Sequence, residues 1–271
     1  MKVFFINLAH REDRLKFILT QLKKVELKSE RIEAVLGKKI FQSSKLFNHR
    51  RYKLENRQNL VPGEVGCAQS HINIWQKIVD HDLEYALVLE DDVYITNEIQ
   101  DLLSDYQLIS QFDYLKVDDC HFHDYRNINS DDLLKHGIEN YEGKIYREIK
   151  GATFSAFECD PVPYGAGGYI ISKHAAKNFL EISKKMYYPI DLLPRYSAGQ
   201  LRQGFTSHAF VLMMDVTDSN IGERKKGIKL TLAERFIWVL HKLFNRRRLR
   251  QLDLIVMHSK LRSFFKTEGS K

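Results

Sequence analysis

The sequence predicts an α/β fold: a mainly parallel sheet flanked by helices, followed by a basic amphipathic helical tail. Three observations predict it. Short β-branched and aromatic runs alternate with stretches of helical period along the first two hundred or so residues. One run, Tyr85 to Leu89, is continuously apolar, as in a strand buried on both faces. The charge is also uneven. Of a net +7 over 271 residues, the segment 223–271 holds fourteen Lys/Arg against four Asp/Glu, a net of +10, leaving −3 for 1–222. The chain is therefore read as a main domain, 1–222, and a tail, 223–271.

Lys2 to Leu8 is the first strand, and from Arg11 the period becomes helical, with Leu15, Ile18, Leu19 and Leu22 on one face. Arg31 to Leu36 is the second strand, ending at Gly37; 38–60 is polar and basic with little period and is expected to be a long loop. Pro62-Gly63-Glu64 starts a helix, with proline in the first turn and an acid at the positive end of the dipole. It runs to His81 and buries Cys67, His71, Ile74, Trp75 and Ile78. The strand 85–89 ends in Glu90-Asp91-Asp92, and Tyr114 to Val117 is another strand. No element is assigned to the polar stretch 121–148. Gly165 to Ser172 is a glycine turn entering a strand, Lys173 to Lys185 a helix, and His208 to Met214 the last strand. A break at Gly222–Gly227 precedes the tail.

The bulk properties exclude several classes. Cys67, Cys120 and Cys159 are far apart and form no CxxC pair, which argues against a zinc or thioredoxin-like motif and suits a reducing compartment. The apolar run Val3 to Leu8 is too short for a signal peptide, and no stretch approaches the ~20 apolar residues of a membrane span. A nucleic-acid partner is not expected, because the main domain is net acidic and no binding motif is recognisable.

Three acids at the end of an apolar strand repel one another beside a low-dielectric core, and a divalent cation removes that cost. Strand alternation would send Glu90 and Asp92 to one side, Asp91 to the other, so that two carboxylates hold Mn²⁺ or Mg²⁺. The competing reading is an acidic turn that caps the next helix through Thr96 or Asn97. Asp118-Asp119 is a second acidic pair after a strand, able to rival the first as a metal site or to contact an acceptor.

In chain order there follow Ile6-Asn7-Leu8 with Arg14, Gly63-xx-Gly66-Cys67-xx-Ser70-His71, LVLEDDV, and GAGGYIIS. In this combination residues 1–222 resemble glycosyltransferase family 25, the bacterial lipooligosaccharide galactosyltransferases and their collagen-modifying relatives. The resemblance implies a GT-A-like catalytic domain, a UDP-hexose donor, a divalent metal and inversion at the anomeric carbon. It implies Asp92 as metal ligand with Glu90 as a metal or ribose partner, and His208 as a positional match to a third ligand. Asn7, Leu8, Arg14, Ser70, His71, Glu90, Asp91, Gly167 and Gly168 fall where the family seats its donor. Asp191 is the expected base, with Asp119 as the other candidate. The residues also admit plainer readings: His71 as a core histidine, Asp191 as a helix cap, and the glycines as a turn and nothing more. A phosphoryl- or nucleotidyl-transfer enzyme remains the alternative chemistry.

The tail carries LTLAERFIWVLHKLF at 230–244, with Ala233, Phe236, Ile237, Leu240, Leu243 and Phe244 on one helical face, then Arg246-Arg247-Arg248 and Arg250. This composition predicts a helix lying on an anionic membrane surface. The expected setting is cytoplasmic, peripheral to the inner face of the membrane, with a glycolipid acceptor at that surface. The competing reading packs these helices on the main domain.

Overall fold

In the computed structural model, residues 1–119, 134–135, 141, 143–197, 199–213 and 228–244 are described. The chain opens with strand β1 (Lys2–Asn7), helix α1 (Glu12–Lys24) and strand β2 (Ser29–Glu33). The short helix α2 (Gly37–Ile40), α3 (His49–Asn56) and the long α4 (Pro62–Asp80) follow. Next come β3 (Tyr85–Leu89), β4 (Val93–Ile95), α5 (Ile99–Ser104), α6 (Tyr106–Ile109) and β5 (Tyr114–Lys116). Beyond the two-residue β6 (Leu134–Lys135) lie β7 (Lys144–Lys150), β8 (Ser155–Asp160), β9 (Gly168–Ser172) and α7 (Lys173–Ile182). A 3-10 segment, Ile190–Ser197, leads to β10 (Gln203–Thr206), β11 (His208–Ala209), β12 (Val211–Met213) and, further on, α8 (Leu232–Phe244).

Eight strands form one sheet in the order β2-β1-β3-β9-β5-β10-β8-β7. The expected mainly parallel sheet is corrected here to a mixed one. Six strands run one way, but β9 and β8 run the other, so four of the seven neighbour pairings are antiparallel. An alternation of strands and helices read from sequence does not reveal a reversed strand inserted between two parallel ones.

Side-chain alternation splits the core into two layers. Phe4, Ile6, Ala86, Val88, Tyr169 and Ile171 face α4 and α7, meeting Trp75, Ile78 and Phe179. Val3, Phe5, Leu87, Leu89 and Ile170 face the other way, meeting Ile18 and Leu22 of α1 and Leu102 of α5. β1, β3 and β9 are thus apolar on both faces, which is why they read as continuous runs.

Two more expectations are corrected. The stretch 38–60 contains the end of α2 and all of α3, not a bare loop. Asn48 caps α3 by accepting a hydrogen bond from the Arg51 amide, at 3.0 Å, and Arg57 ends it in the left-handed region at φ 56°. The expected last strand, 208–214, is broken at Phe210 into β11 and β12, which pair with different partners, β6 and β4. The break at Gly222–Gly227 and the tail beyond 244 lie outside the described residues.

Candidate functional site

The sheet brings the sequence motifs to one edge. β1 and β3 are parallel with Phe5 opposite Leu89, so Asn7 and the 90–92 acids emerge together. β9 starts at the same edge, with Gly168 opposite Leu89, and the Glu90 amide donates to Gly167 O at 3.0 Å. β5 leads there into Asp118, whose Oδ2 accepts from the Gly167 amide at 3.0 Å. Lys116, 1% exposed, places Nζ 2.5 Å from Asp118 Oδ1 and 2.9 Å from Gly165 O, holding the glycine turn from behind. The Asp118 carboxylate is thus committed to an internal ion pair and a turn.

The acids themselves divide differently from the strand-alternation expectation. β3 ends at Leu89, so residues 90–92 lie in the turn before β4 and the pleat no longer governs them. Asp91 and Asp92 both turn toward α1. Arg14 Nη1 donates to Asp91 Oδ1 at 3.2 Å and to Asp92 Oδ2 at 2.7 Å. Asn7 Nδ2 donates to Asp91 Oδ2 at 2.7 Å. Glu90 turns toward α4, where its Oε1 lies 3.5 Å from His71 Nε2. Burial raises the Asp91 carboxyl, and the Asn7 and Arg14 hydrogen bonds partly offset this. Burial, with the neighbouring Glu90 charge, pushes Asp92 up to about 7 against the pull of Arg14. Asp92 Oδ1 is buried and has no hydrogen-bond partner among the described residues. A carboxylate with a buried oxygen left unsatisfied is the oxygen donor a hard divalent cation takes, and such an ion would have to displace or share the place of the Arg14 guanidinium.

An open cleft above this edge is lined by Asn7, Leu8, Arg14, Ser70, His71, Glu90, Asp91 and Asp92. Eight residues singled out in the sequence therefore meet in one depression. Its opposite wall, Ala34 to Gly37 with Gly63 and Cys67, was not foreseen as lining; only the glycine spacing in α4 hinted at it. A Cβ on Gly66 would stand 2.4 Å from Val35 O and 2.7 Å from Gly37 N, so α4 packs backbone to backbone against that wall. Ser70 fastens the same contact: its Oγ accepts from the Val35 amide at 2.9 Å and donates to Gly66 O at 2.8 Å. Ser70 thus has a structural task beside its place in the cleft.

His71 is 1% exposed and belongs both to the core and to the cleft. Its Nδ1 lies 2.8 Å from the Tyr169 hydroxyl, which also accepts from Trp75 Nε1 at 3.0 Å. Donor atoms of Cys67, His71 and Glu90 lie within 4.8 Å of one another.

The remaining predicted residues lie elsewhere. Gly167 adjoins Glu90 through its backbone and Gly168 stands opposite Leu89, neither of them lining the cleft. Asp119 follows β5, is 3% exposed, and its amide donates to Val211 O at 2.9 Å. Asp191 is the second residue of the 3-10 segment, half-buried and outside the cleft lining. His208 stands on β11 with Nδ1 2.9 Å from Ser207 Oγ and its ring edge-on to Phe154; it is not part of the cleft lining.

Comparison with known proteins gives a consistent answer. The model of a family described as glycosyltransferase family 25 (LPS biosynthesis protein) matches residues 1–194. Procollagen galactosyltransferase 1 of Danio rerio is 31% identical over 205 residues, covering 71% of this chain and 31% of that protein. Procollagen galactosyltransferase 1-B of Xenopus laevis is 34% identical over 117 residues, 40% of this chain and 19% of its own length. The lipooligosaccharide biosynthesis protein lex-1 of Haemophilus influenzae is 29% identical over 139 residues, 50% of this chain and 41% of that protein. The matches thus span less than half the length of each of these relatives.

Proposed function

Because the chain belongs to glycosyltransferase family 25, we propose that it transfers a hexose, galactose, from a UDP-sugar to a lipooligosaccharide acceptor, with inversion and on a GT-A-like domain. The observation that carries this reading is the cleft at the end of β1 and β3. There Asn7, Arg14 and the three acids line one open depression, Glu90 on the α4 side and Asp91 and Asp92 on the α1 side, and Asp92 Oδ1 is buried with no hydrogen-bond partner among the described residues.

Asp92, with Glu90 beside it, would hold Mn²⁺ or Mg²⁺, which supplies charge neutralisation for the diphosphate leaving group. The chain's own residues do the rest. Arg14 is drawn by a phosphate as well as by the two aspartates and can follow the diphosphate charge as it grows. Asn7 holds Asp91 in place. The acceptor hydroxyl gives its proton to a carboxylate as its oxygen bonds to the anomeric carbon. The bond from that carbon to the β-phosphate breaks, and UDP leaves with the electron pair. We assign the carboxylate to Asp191 on the family resemblance alone, since it does not line the cleft, with Asp119 as the second candidate because it lies at the same sheet edge as Glu90. The wall at Ala34 to Gly37 bounds one side of the cleft.

The test is a panel of UDP-sugars with and without Mn²⁺, scored for UDP release that depends on an acceptor glycan. UDP-galactose should give the fastest release, EDTA should stop it, and Asp92→Ala should abolish it while leaving the fold intact. Full activity in excess EDTA, or an active Asp92→Ala enzyme, would remove the metal reading. Release with no acceptor dependence would point to phosphoester hydrolysis instead.

A further inference from the structure

His71 has a buried hydrogen-bonding atom with no hydrogen-bond partner among the described residues, and its neighbours bear on what that atom is. Tyr169 is 1% exposed and sits between Trp75 and His71. The Trp75 indole N–H can only donate, so at 3.0 Å it occupies a lone pair of the Tyr169 oxygen. The Tyr169 hydroxyl then has one hydrogen to place. Of its two contacts only His71 Nδ1, at 2.8 Å, can accept it. With Tyr169 donating to Nδ1, the one arrangement of these three groups that leaves no hydroxyl hydrogen unpaired, the neutral imidazole carries its hydrogen on Nε2. That Nε2–H is buried, has no hydrogen-bond partner among the described residues, and faces Glu90 Oε1 at 3.5 Å, too far for a strong hydrogen bond.

The cleft therefore presents a fixed donor beside a fixed acceptor. A metal ion at this point would need Nε2 bare, with Nδ1 donating instead, the reverse of what the relay imposes. An anion would meet the Glu90 charge. A hydroxyl group satisfies both, accepting from Nε2–H while donating to the carboxylate.

We propose that the Trp75–Tyr169–His71 relay makes His71 Nε2–H and Glu90 a paired reader for one hydroxyl of the bound ligand. This rests on the nucleotide-sugar reading of the cleft. The hydroxyl belongs to the ribose or to the hexose, and the two sources are separable by experiment.

The first measurement needs no ligand: ¹⁵N-detected imidazole NMR of the protein as it stands. The inference expects the Nε2–H tautomer for His71, and loss of that fixed tautomer in Tyr169→Phe. An Nδ1–H tautomer, or Zn²⁺ that binds through the His71 imidazole and Cys67, overturns it. The second is calorimetric binding of UDP, 2′-deoxy-UDP and 3′-deoxy-UDP for the ribose, and of UDP-galactose and its ring-deoxy analogues for the hexose. His71→Leu should weaken binding of the hydroxylated ligand about tenfold, the worth of one hydrogen bond, and leave the matching deoxy analogue unchanged. His71→Gln, which keeps an N–H near Nε2, should restore most of the loss. An equal loss for every ligand makes His71 a packing residue and overturns the reader. If no UDP ligand binds at all, the proposed function falls with it, while the tautomer measurement still decides the relay.

Discussion

Arg14 stands where a cation is wanted. Its guanidinium bridges Asp91 and Asp92 with all three side chains 18% exposed or less. Removing one partner of a buried ionic cluster leaves the other charges uncompensated, at about 3–5 kcal/mol. Arg14→Gln should therefore lower stability by about that much in urea denaturation without divalent cation. Because Mn²⁺ can replace the lost charge, it should raise the melting temperature of Arg14→Gln more than that of the wild type. Equal Mn²⁺ shifts for both proteins would mean that Arg14 and the metal do not share a place. The base belongs to the same scale. Asp191→Asn keeps size and hydrogen bonding but loses the proton acceptor. It should cost ~100-fold or more in kcat with UDP-sugar affinity little changed. A collapse of affinity with kcat intact would make Asp191 a binding or structural residue, and Asp119→Asn would then be the variant to measure. At this scale the sequence was a good guide to residues and a poor one to their direction. It identified the 90–92 acids and Asn7 by their place at strand ends. It misplaced Asp91 relative to Asp92 because strand alternation was extended one turn too far. The His71 relay was not visible in it, since its partner Tyr169 lies 98 residues away on a strand that reads as plain core.

At the scale of elements, legibility followed periodicity. β3 and α4 were readable because each buries a regular apolar face, and their observed limits differ from expectation by a residue or less. α3 was not, because only Tyr52 and Leu54 of its eight residues are buried. Its stability comes from a cap and from tertiary contact, the Tyr52 hydroxyl donating to Glu64 Oε1 at 2.6 Å. β7 escaped notice as a largely exposed edge strand, and β10 because Gln203-Gly204-Phe205-Thr206 lacks an apolar alternation although all four residues are buried. The contact between α4 and the wall at 35–37 is the element-level feature on which the cleft depends. Gly66→Ala places a methyl group against backbone atoms that cannot rotate away, so α4 must shift. Overpacking of this kind costs about 1–3 kcal/mol. The variant should melt at lower temperature and bind UDP more weakly, while Ala68→Gly, away from the wall, should change stability without selectively impairing binding. An unshifted melting curve for Gly66→Ala would mean that the close approach is relieved at no cost.

At the scale of the whole molecule, charge and exposed apolar surface meet at the C-terminal end. α8 is docked on α3: Lys53 Nζ lies 2.7 Å from Glu234 Oε1, and the Arg57 guanidinium stands over the Trp238 ring at 5.3 Å. The competing expectation, that the tail packs on the main domain, is thus partly realised, and Trp238 is turned toward the domain. Leu232, Phe236 and Val239, spaced as one helical stripe, remain 83%, 64% and 44% exposed. Among the described residues no helix is long and apolar enough to cross a membrane. An apolar stripe on a docked helix, within a segment of net +10 over 223–271, has the chemistry of a surface that lies on anionic lipid. Each basic residue near such a leaflet contributes on the order of 1 kcal/mol. Full-length protein should therefore co-sediment with phosphatidylserine-containing vesicles at low salt and be released at high salt, whereas a chain ending at 222 should stay in the supernatant. Phe236→Glu should weaken vesicle binding at both salt concentrations, since it removes apolar contact and adds a repelled charge. Vesicle binding by the truncated chain equal to that of the full chain would locate any membrane contact in the main domain, and absence of binding by the full chain would end the membrane reading altogether.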